Sequence, residues 1–330
     1  MSQATSRVIA LSERQLANFF RELTSTTQNM CDQVARELIL GLHHAAPVQG
    51  ATSYTVVPDN GASFVVQFRP DRYSLDLNFL GCVEQAYPGF MPHYEQPGRL
   101  GKLEIYKIDD VRGDSMSIAV DELRADGCAL LKQTVQDFGR FFASAWHNIP
   151  NPYPHPRKDD VYESYLSQLM QLSAGLPRRF RSTLDNLITK LPALTDGQWL
   201  MVPHHTDLVE DNIHVDRTTG RITGICDWED TVVGPFGTSL WSLETLLGMR
   251  SNSEGWRYHA NHQELRNLFW EAFYTALGPV SGAQRAHIKA ARSVGFFLEN
   301  GFVYIDEVNK APIKKGSWEM LYLDAVARWL

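Results

Sequence analysis

The stretch that decides the fold reads Val202-Pro-His-His-Thr-Asp-Leu-Val-Glu-Asp-Asn-Ile-His-Val-Asp216, then Arg-Thr-Thr-Gly-Arg221, then Ile-Thr-Gly-Ile-Cys-Asp-Trp228. Its short apolar runs, at 199–202, 213–215 and 221–226, predict three strands, and residues 217–220 supply a turn between the last two. The stretch therefore predicts a strand, a polar loop and a hairpin.

Four polar residues lie where these predicted strands end: His205, Asp207, Asn212 and Asp227. Carboxylate and amide oxygens suit a hard divalent cation, and a second carboxylate can act as a base. Asp and Asn are also common turn formers, so each residue alone indicates only a loop. The spacing of all four together favours a site for phosphoryl transfer, where one Asp orients the acceptor hydroxyl and Asn and Asp hold Mg²⁺.

The same segment resembles the aminoglycoside phosphotransferase and choline kinase-like family, whose pattern is His-Gly-Asp, Asn five residues later, then Ile-Asp-Trp. A fungal subset of that family shares the run Pro-Phe-Gly-Thr-Ser-Leu-Trp at residues 235–241. Thr206 departs from the usual Gly. The resemblance implies that Asp207 is the catalytic base, that His205 braces its loop, and that Asn212 and Asp227 are metal ligands, with ATP and Mg²⁺ as cofactors.

Composition limits the other classes of function. The chain has 330 residues, 44% of them hydrophobic, and a formal net charge of −7, which argues against nucleic acid or an anionic membrane as the main partner. Four scattered cysteines predict neither a disulfide framework nor structural zinc. Without a signal-like segment or a long apolar run, the expected compartment is the cytoplasm. Nothing in the sequence defines an oligomeric state.

The first third of the chain is rich in predicted strands. Ser12 and Gln15 form a capping-box pattern ahead of an amphipathic helix. The runs 53–57 and 63–69, joined by Pro-Asp-Asn-Gly, predict a hairpin; 75–87 predicts a helix and 103–108 another strand.

The remainder is mainly helical. Helical spacing covers 131–145, 162–172 and 180–191, and it continues after residue 241 almost to the end, whereas 149–157 is a proline-rich loop. The prediction is an α+β, two-lobed protein kinase-like fold with a small β-rich N-lobe and a larger, mainly helical C-lobe. The lobes are expected at 1–108 and 116–330, with a connector or hinge at 109–115.

The resemblance implies a nucleotide bound between lobes, its adenine against the connector at Asp109 and Val111. Thr52 and Ser53 belong to a loop with one glycine that would cover the phosphates. The lysine expected on the next strand is absent, and the register leaves Gln67 and Arg69 as alternatives. Arg69 is favoured because a neutral amide cannot offset phosphate charge.

The sequence leaves the roles of several further residues undecided. Asp76 and Glu84 are candidates to brace the phosphate-binding cation, and Glu229 and Asp230 to support a second metal or the acceptor. A larger set of aromatic residues is expected either to select the acceptor or simply to pack helices: Trp241, Trp256, Tyr258 and Trp270.

The favoured function is an ATP- and Mg²⁺-dependent kinase for a hydroxyl of a small molecule, with secondary metabolites among the acceptors considered. The missing lysine motivates two alternatives. One is a kinase-fold enzyme that performs acid/base chemistry, such as cyclisation, elimination or isomerisation, without ATP; the other is a silent ligand-binding protein.

Overall fold

The structure, a computed structural model, describes residues 3–149, 156–251, 255–306 and 309–330. By their contacts, residues 1–134 and 210–229 form one compact unit, and residues 135–209 and 230–330 form a second. The predicted lobes follow the chain continuously, whereas the first compact unit also includes the segment 210–229. The lobe boundaries at 108 and 116 stay a prediction. Most of the predicted proline-rich loop at 149–157 lies outside the described residues.

The chain begins with a strand-rich region and continues with a mainly helical one. The helices are α1 Gln3–Glu22, α2 Gln28–Ile39, α3 Leu77–Ala86, α4 Val120–His147, α5 Lys158–Gly175, α6 Arg181–Thr195, α7 Leu243–Leu246, α8 His262–Leu277, α9 Gly282–Asn300 and α10 Trp318–Ala327. The strands are β1 His43–Ala45, β2 Tyr54–Pro58, β3 Phe64–Pro70, β4 Tyr94–Leu100, β5 Leu103–Asp109, β6 Asp114–Ser115, β7 Met201–His204, β8 Ile213–Val215, β9 Ile222–Ile225, β10 Val232–Pro235, β11 Gly248–Ser251, β12 Gly255–Tyr258, β13 Phe302–Tyr304 and β14 Lys310–Pro312. The α+β class is as predicted.

The main sheet of the first unit is antiparallel, in the order β1-β2-β3-β5-β4. The predicted hairpin is confirmed, with Tyr54 opposite Phe68 and the turn passing through Gly61 at φ 72°. Glycine suits this turn because a Cβ makes positive φ costly. The sequence predicted β5 but neither β1 nor β4, which lack a clear alternation of apolar residues.

Helices α1 and α2 bury their apolar faces with this sheet. Phe19 of α1 and Cys31, Ala35 and Ile39 of α2 belong to one buried cluster with side chains of β2, β3 and β5. The sequence predicted α1 but not α2. In α2 the helix begins after Thr27, whose hydroxyl accepts a hydrogen bond from Met30 N at 3.4 Å. This core fixes β3, which carries Arg69.

Ser12 corrects one prediction. Its pairing with Gln15 was expected to mark a helix start, yet α1 already begins at Gln3. Ser12 is buried, and its hydroxyl instead accepts a hydrogen bond from Gln49 N at 2.9 Å. The same residue type that caps helices also satisfies buried backbone N–H groups, so the motif alone was ambiguous.

The predicted strand, loop and hairpin of the central stretch are confirmed as β7, β8 and β9, and β6 adds a third strand to the β8–β9 hairpin. Asp216 shapes the turn by accepting hydrogen bonds from Thr218 N at 2.7 Å and Thr219 N at 3.1 Å. Gly220 completes it at φ 71°, and its carbonyl accepts a hydrogen bond from the Thr134 hydroxyl at 2.7 Å. The β8–β9 hairpin is therefore firmly held within the first unit.

The second unit packs aromatic residues between helices. Phe138 of α4 stacks in a group with Phe142, Phe269 and Phe273, whose ring centroids lie about 5–6 Å apart. The expectation of helix almost throughout the region after residue 241 is wrong in part, because two short hairpins interrupt it, β11–β12 and β13–β14. Strands of three or four residues are too short to give a readable period. No described helix is long and apolar enough to cross a membrane.

Gly220 offers a test of this packing. A Cβ there would lie 2.1 Å from the Leu130 carbonyl oxygen, whereas at Gly61, with nearly the same φ, it would meet nothing within 4 Å. We expect Gly220→Ala to lower the free energy of unfolding by about 3 kcal/mol, since positive φ costs about 1–2 kcal/mol and overpacking adds to it. The control Gly61→Ala should lose only about 1–2 kcal/mol. Urea unfolding measures both, and equal losses would contradict the close approach to Leu130.

Candidate active site

A buried arginine near the end of β3 anchors the site in the first unit. Arg69 is 2% exposed, and its Nη2 lies 2.5 Å from Glu229 Oε2 and 3.5 Å from Asp227 Oδ1. Nη2 also donates to the Thr52 hydroxyl at 3.1 Å, and that hydroxyl donates to Glu229 Oε2 at 3.0 Å. A guanidinium out of contact with water needs such anionic and polar partners. Arg69 is therefore a buried residue at the end of its strand and not a surface one.

Arg69 retains an unused donor. Its Nε is buried and makes no hydrogen bond to any described residue. Because Glu229 and Thr52 hold Nη2 in place while the Nε–H has no partner among the described residues, this guanidinium is suited to bind an additional anion such as a phosphate oxygen.

Gln67, the alternative to Arg69, is committed elsewhere. Its amide donates to the Thr55 hydroxyl on the neighbouring strand β2 at 3.0 Å. Of the two candidates, only Arg69 is seen paired with Asp227, so the geometry favours Arg69 as the phosphate-binding residue. In the covering loop, Thr52 joins the Arg69 network and Ser53 is buried at 4% exposure.

The carboxylate that braces Arg69 was not among the two acids expected on helix α3. Asp76 instead caps that helix, accepting a hydrogen bond from Phe79 N at 3.1 Å, and Glu84 pairs with His93 at 2.9 Å. Glu229 takes the place next to Arg69. The sequence missed this pairing because the two residues are 160 positions apart and no local motif links them.

Asn212 and Asp227 flank the β8–β9 hairpin. Cys226 N donates to the Asn212 carbonyl oxygen at 2.9 Å, so the backbone beside Asp227 is tied to the backbone of Asn212. Asp227 adopts φ 62°, an uncommon conformation for a residue with a Cβ, and its side chain is 47% exposed. Such strained positions concentrate at functional sites, where the surrounding structure holds them.

The segment after Asp227 is anchored by a buried tryptophan. Trp228 is 1% exposed, as predicted for a core residue; its indole donates to the Ile225 carbonyl oxygen at 2.8 Å, and its ring lies 5.3 Å from that of Tyr87. Ile225 N in turn donates to the Phe90 carbonyl oxygen at 2.7 Å. These contacts set the position from which Asp227 and Glu229 extend.

The donor set fits Mg²⁺. Asp227 contributes a solvent-accessible carboxylate and Asn212 an amide oxygen, and Mg²⁺ characteristically takes one or two such protein ligands together with phosphate oxygens and water. In the described ranges, no three His, Cys, Asp or Glu side chains are grouped as a metal site on their own. A metal here would therefore depend on Asn212, Asp227 and oxygens of a bound nucleotide.

Cys226 is an inert neighbour of the site. Burial raises the pKa of its thiol to about 12, and the charge of Asp227 adds to the shift. The thiol stays protonated at neutral pH and is a poor nucleophile.

The connector residues have mixed surroundings. Val111 packs directly on β9, since a Cβ at Gly224 would lie 2.4 Å from a Val111 methyl group. Asp109 is exposed at the end of β5, and its N–H donates to the His93 carbonyl oxygen at 3.0 Å.

In the second unit, His205 braces the loop that carries Asp207. Its Nδ1 accepts a hydrogen bond from Asp207 N at 3.2 Å, and the side chain is 5% exposed. The Thr206 hydroxyl donates to the Asp230 carbonyl oxygen at 3.1 Å, and Val209 N donates to the Asp207 carbonyl oxygen at 3.0 Å. The threonine that replaces the usual glycine thus gains a hydrogen bond in the loop.

An acidic side chain near Asp207 was missed by the sequence. Part of the Glu299 side chain on α9 is exposed to solvent, but protein atoms surround its carboxyl group. This burial raises the pKa of Glu299; the charge of Lys310 opposes the shift and the charge of Asp207 adds to it. Lys310 donates to the Gln168 amide oxygen at 2.5 Å. The surroundings of Asp207 in the second unit are thus polar, with charges of both signs.

The aromatic residues considered for acceptor selection mostly pack. Trp256 lies 5.0 Å from the ring of Tyr322 and 6.1 Å from that of Tyr258. Trp270 stacks with Tyr274 at 5.8 Å. For these residues the helix-packing interpretation is the better one.

His204, next to the Asp207 loop, gives a prediction on pH. It is buried; its Nε2 bonds to the Pro235 carbonyl oxygen at 3.1 Å, and its Nδ1 to the Ser239 hydroxyl at 2.7 Å. Burial lowers its pKa from 6.5 to about 4, and hydrogen bonds to the backbone partly oppose that shift. The unfolded chain therefore binds a proton first as the pH falls. Stability present above pH 6.5 should be lost towards pH 4, by up to about 3 kcal/mol.

The matched variant is His204→Gln, which keeps a donor and an acceptor but does not titrate. Urea unfolding between pH 7 and pH 4 should give a shallower loss of stability for the variant than for the parent protein. Parallel curves would show that His204 contributes nothing to the acid sensitivity.

Comparison with known proteins gives the family and the fold of the chain. The family model described as the phosphotransferase enzyme family matches residues 93–273, just over half of the chain. No curated protein matches the sequence. Among solved structures, a Ralstonia eutropha protein assigned as an aminoglycoside phosphotransferase has a TM-score of 0.55 and 13% identity, with 83% of this chain and 88% of that chain covered.

Two kinases show the same fold. An ethanolamine kinase from Plasmodium vivax has a TM-score of 0.52 and 10% identity, covering 99% of this chain and 94% of its own. A choline/ethanolamine kinase family protein from Mesorhizobium loti has a TM-score of 0.50 and 16% identity, covering 90% and 92%. The predicted protein kinase-like fold is confirmed. With its family model matched over more than half of its length, the chain belongs to the phosphotransferase enzyme family and is a phosphotransferase.

Proposed function

We propose that this chain transfers the γ-phosphoryl group of ATP, in the presence of Mg²⁺, to the hydroxyl of a small molecule, with secondary metabolites as the acceptor class. The observation that carries the proposal is the buried Arg69, which lies 3.5 Å from Asp227 and whose Nε has no hydrogen-bond partner among the described residues. A desolvated cation beside a metal-ligating carboxylate is what a polyphosphate needs.

Arg69 replaces the lysine that the sequence lacks. Lysine offers a point charge, whereas a guanidinium can hold Glu229 with one edge and meet a phosphate oxygen with another N–H. Thr52 completes the arrangement by bonding to both Arg69 and Glu229. In this proposal Arg69 binds the phosphates and Glu229 positions Arg69, while Gln67 has no direct part.

Asp207 acts as the base. Its carboxylate accepts the proton of the acceptor hydroxyl while the oxygen forms a bond to the γ-phosphorus and the bond from phosphorus to the β,γ-bridging oxygen breaks, releasing ADP. His205 holds the loop through the Asp207 N–H. A base of this kind contributes roughly 10²–10⁴-fold to the rate.

Asn212 and Asp227 would hold Mg²⁺ through their side-chain oxygens. When bound, the ion supplies neutralisation of the charge on the phosphate oxygens. The adenine would lie at Asp109 and Val111, and the lobes would be those expected at 1–108 and 116–330. The partner is a small molecule, with no direct role for nucleic acid.

Glu299 and Lys310 support a polar acceptor. The two charges lie close enough to influence one another's pKa, and Asp207 acts on Glu299 as well. An acceptor that brings only an apolar face to Asp207 would form no hydrogen bonds with the charged groups of Glu299 and Lys310. Acid/base chemistry without ATP has less support, because Arg69 provides the cation whose apparent absence motivated it.

The first test replaces Asp207 with Asn. We expect kcat to fall by about 10²–10⁴-fold, because the amide cannot accept the proton, while affinity for Mg²⁺ and ATP is retained. Steady-state kinetics and calorimetry measure the two quantities. Asp159→Asn, an exposed change on α5, is the control and should leave both unchanged. Full turnover by Asp207→Asn would rule out its role as base.

The second test replaces Arg69 with Met. Losing a charged hydrogen bond of about 1.5–3 kcal/mol should weaken ATP binding by roughly 10–100-fold. Arg99→Met, which removes an exposed arginine from β4, is the matched control. Because Glu229 loses the guanidinium that offsets its charge, Glu229→Gln in the Arg69→Met background should restore stability but not ATP affinity. Unchanged ATP affinity in the folded single variant would remove Arg69 from the nucleotide site.

A further inference from the structure

A second group of buried charges lies wholly inside the second unit and has no part in the proposed reaction. Glu244 is 0% exposed, and Arg266 and Arg292 are each 5% exposed. Arg266 binds both oxygens of Glu244, and Arg292 Nη2 lies 2.5 Å from Glu244 Oε1. The Tyr258 hydroxyl donates to Glu244 Oε2 at 2.8 Å.

Glu244 has no acceptor capacity left. An ionised carboxylate offers about four lone-pair sites, and four donors from Arg266, Arg292 and Tyr258 fill them. Any further donor in this cluster must find another acceptor.

Several further donors do not find one. Six of the buried polar atoms that lack a hydrogen-bond partner among the described residues belong to this cluster: Trp256 Nε1, His262 Nδ1, Arg266 Nε, Arg292 Nε, Tyr322 Oη and Trp329 Nε1. Four of the six are N–H groups that can only donate, and the Tyr322 hydroxyl can also donate. Because each buried donor without an acceptor destabilises the folded state, this group of donors calls for an additional acceptor.

The side chains concerned lie close together. The Tyr258 ring lies 6.1 Å from the rings of both Trp256 and Trp329, and Trp256 lies 5.0 Å from Tyr322. The guanidinium of Arg266 lies 4.8 Å from the Trp329 ring. The unpaired atoms therefore belong to one assembly.

The charge of the cluster is also incomplete. Arginine stays protonated in proteins, so Arg266 and Arg292 carry two positive charges against the single negative charge of Glu244. In the described part of the chain, Glu244 is the carboxylate that pairs with them. Burial lowers the pKa of His262, and the charge of Arg266 lowers it further, so this histidine adds no positive charge near neutral pH. One positive charge is left without a buried partner.

We propose that this cluster binds a small monovalent anion, a halide or a carboxylate group, next to Arg266 and Arg292. A monoanion supplies the missing negative charge and accepts hydrogen bonds without offering donors, which matches the unpaired N–H groups. The site is independent of the phosphoryl-transfer proposal, since none of its residues takes part in that chemistry.

The test is thermal unfolding of the full chain at constant ionic strength and pH, with sodium gluconate, too bulky for a packed interior, replaced stepwise by sodium chloride, bromide or formate. We expect a saturable rise in Tm of about 2–4 °C with the small anions. A Tm that does not saturate, or that follows gluconate equally well, would overturn the proposal.

Two variants separate anion binding from simple packing. Glu244→Gln raises the uncompensated charge from one to two, so the anion-dependent rise in Tm should become larger, although the variant starts less stable. Tyr322→Phe removes one donor and should shift the titration midpoint several-fold to higher anion concentration. Arg179→Gln, which removes an exposed arginine of the same unit, should titrate like the parent protein. If Glu244→Gln does not fold, Tyr322→Phe decides, and an unchanged midpoint there would contradict the site.

A bromide-containing crystal gives a direct readout. An anomalous peak within hydrogen-bond distance of Arg266 Nε or Arg292 Nε would confirm the site. Fully occupied bromide elsewhere with none at this cluster would refute it.

Discussion

The pairing of Arg69 with Glu229 is the constraint on which the candidate site of the first unit depends. A guanidinium at 2% exposure is stable only because carboxylate and hydroxyl oxygens replace its water. The pairing joins the end of β3 to the segment after β9, and so it places a cation beside Asp227. Removing either partner would leave the other without the charge that compensates its desolvation, which costs more than the pair itself contributes.

The hairpin after Asn212 serves the same end through its backbone. Asp227 is held at positive φ while its neighbours on both sides are fixed, Cys226 by the Asn212 carbonyl oxygen and Trp228 by its indole bond to Ile225. The strained backbone is confined to Asp227, whereas the hydrogen bonds that hold it are made by the residues on either side. A carboxylate presented on such a turn keeps its direction with little loss of side-chain freedom when a ligand binds.

Local patterns in the sequence were enough for the β2–β3 hairpin, the β7-loop-β8-β9 segment and most helices, since each has a period or a turn signature a few residues long. They were not enough for β1 and β4, whose apolar residues do not alternate clearly, or for the short hairpins after Trp241. Helix α2 was missed although its buried residues Cys31, Ala35 and Ile39 follow a helical spacing. Local sequence patterns failed to predict the ion-pair partner of Arg69 for a different reason. Asp76 and Glu84 were near in sequence and on the expected helix, but electrostatic partners are chosen in space, and Glu229 is 160 residues away.

The replacement of lysine by Arg69 changes how such a site can work. A lysine ammonium braced by a carboxylate has three equivalent donors on one atom, so the brace and the phosphate compete for the same centre. The guanidinium separates these tasks between Nη2, which is held by Glu229 and Thr52, and Nε, which is unpaired among the described residues. In the function proposed here, Arg69 would stay fixed to Glu229 through Nη2 while Nε binds a phosphate oxygen. That separation explains why the bracing carboxylate can come from the segment after Asp227 instead of from helix α3. The carboxylate need only hold one edge of the guanidinium, and Glu229 already lies at that edge.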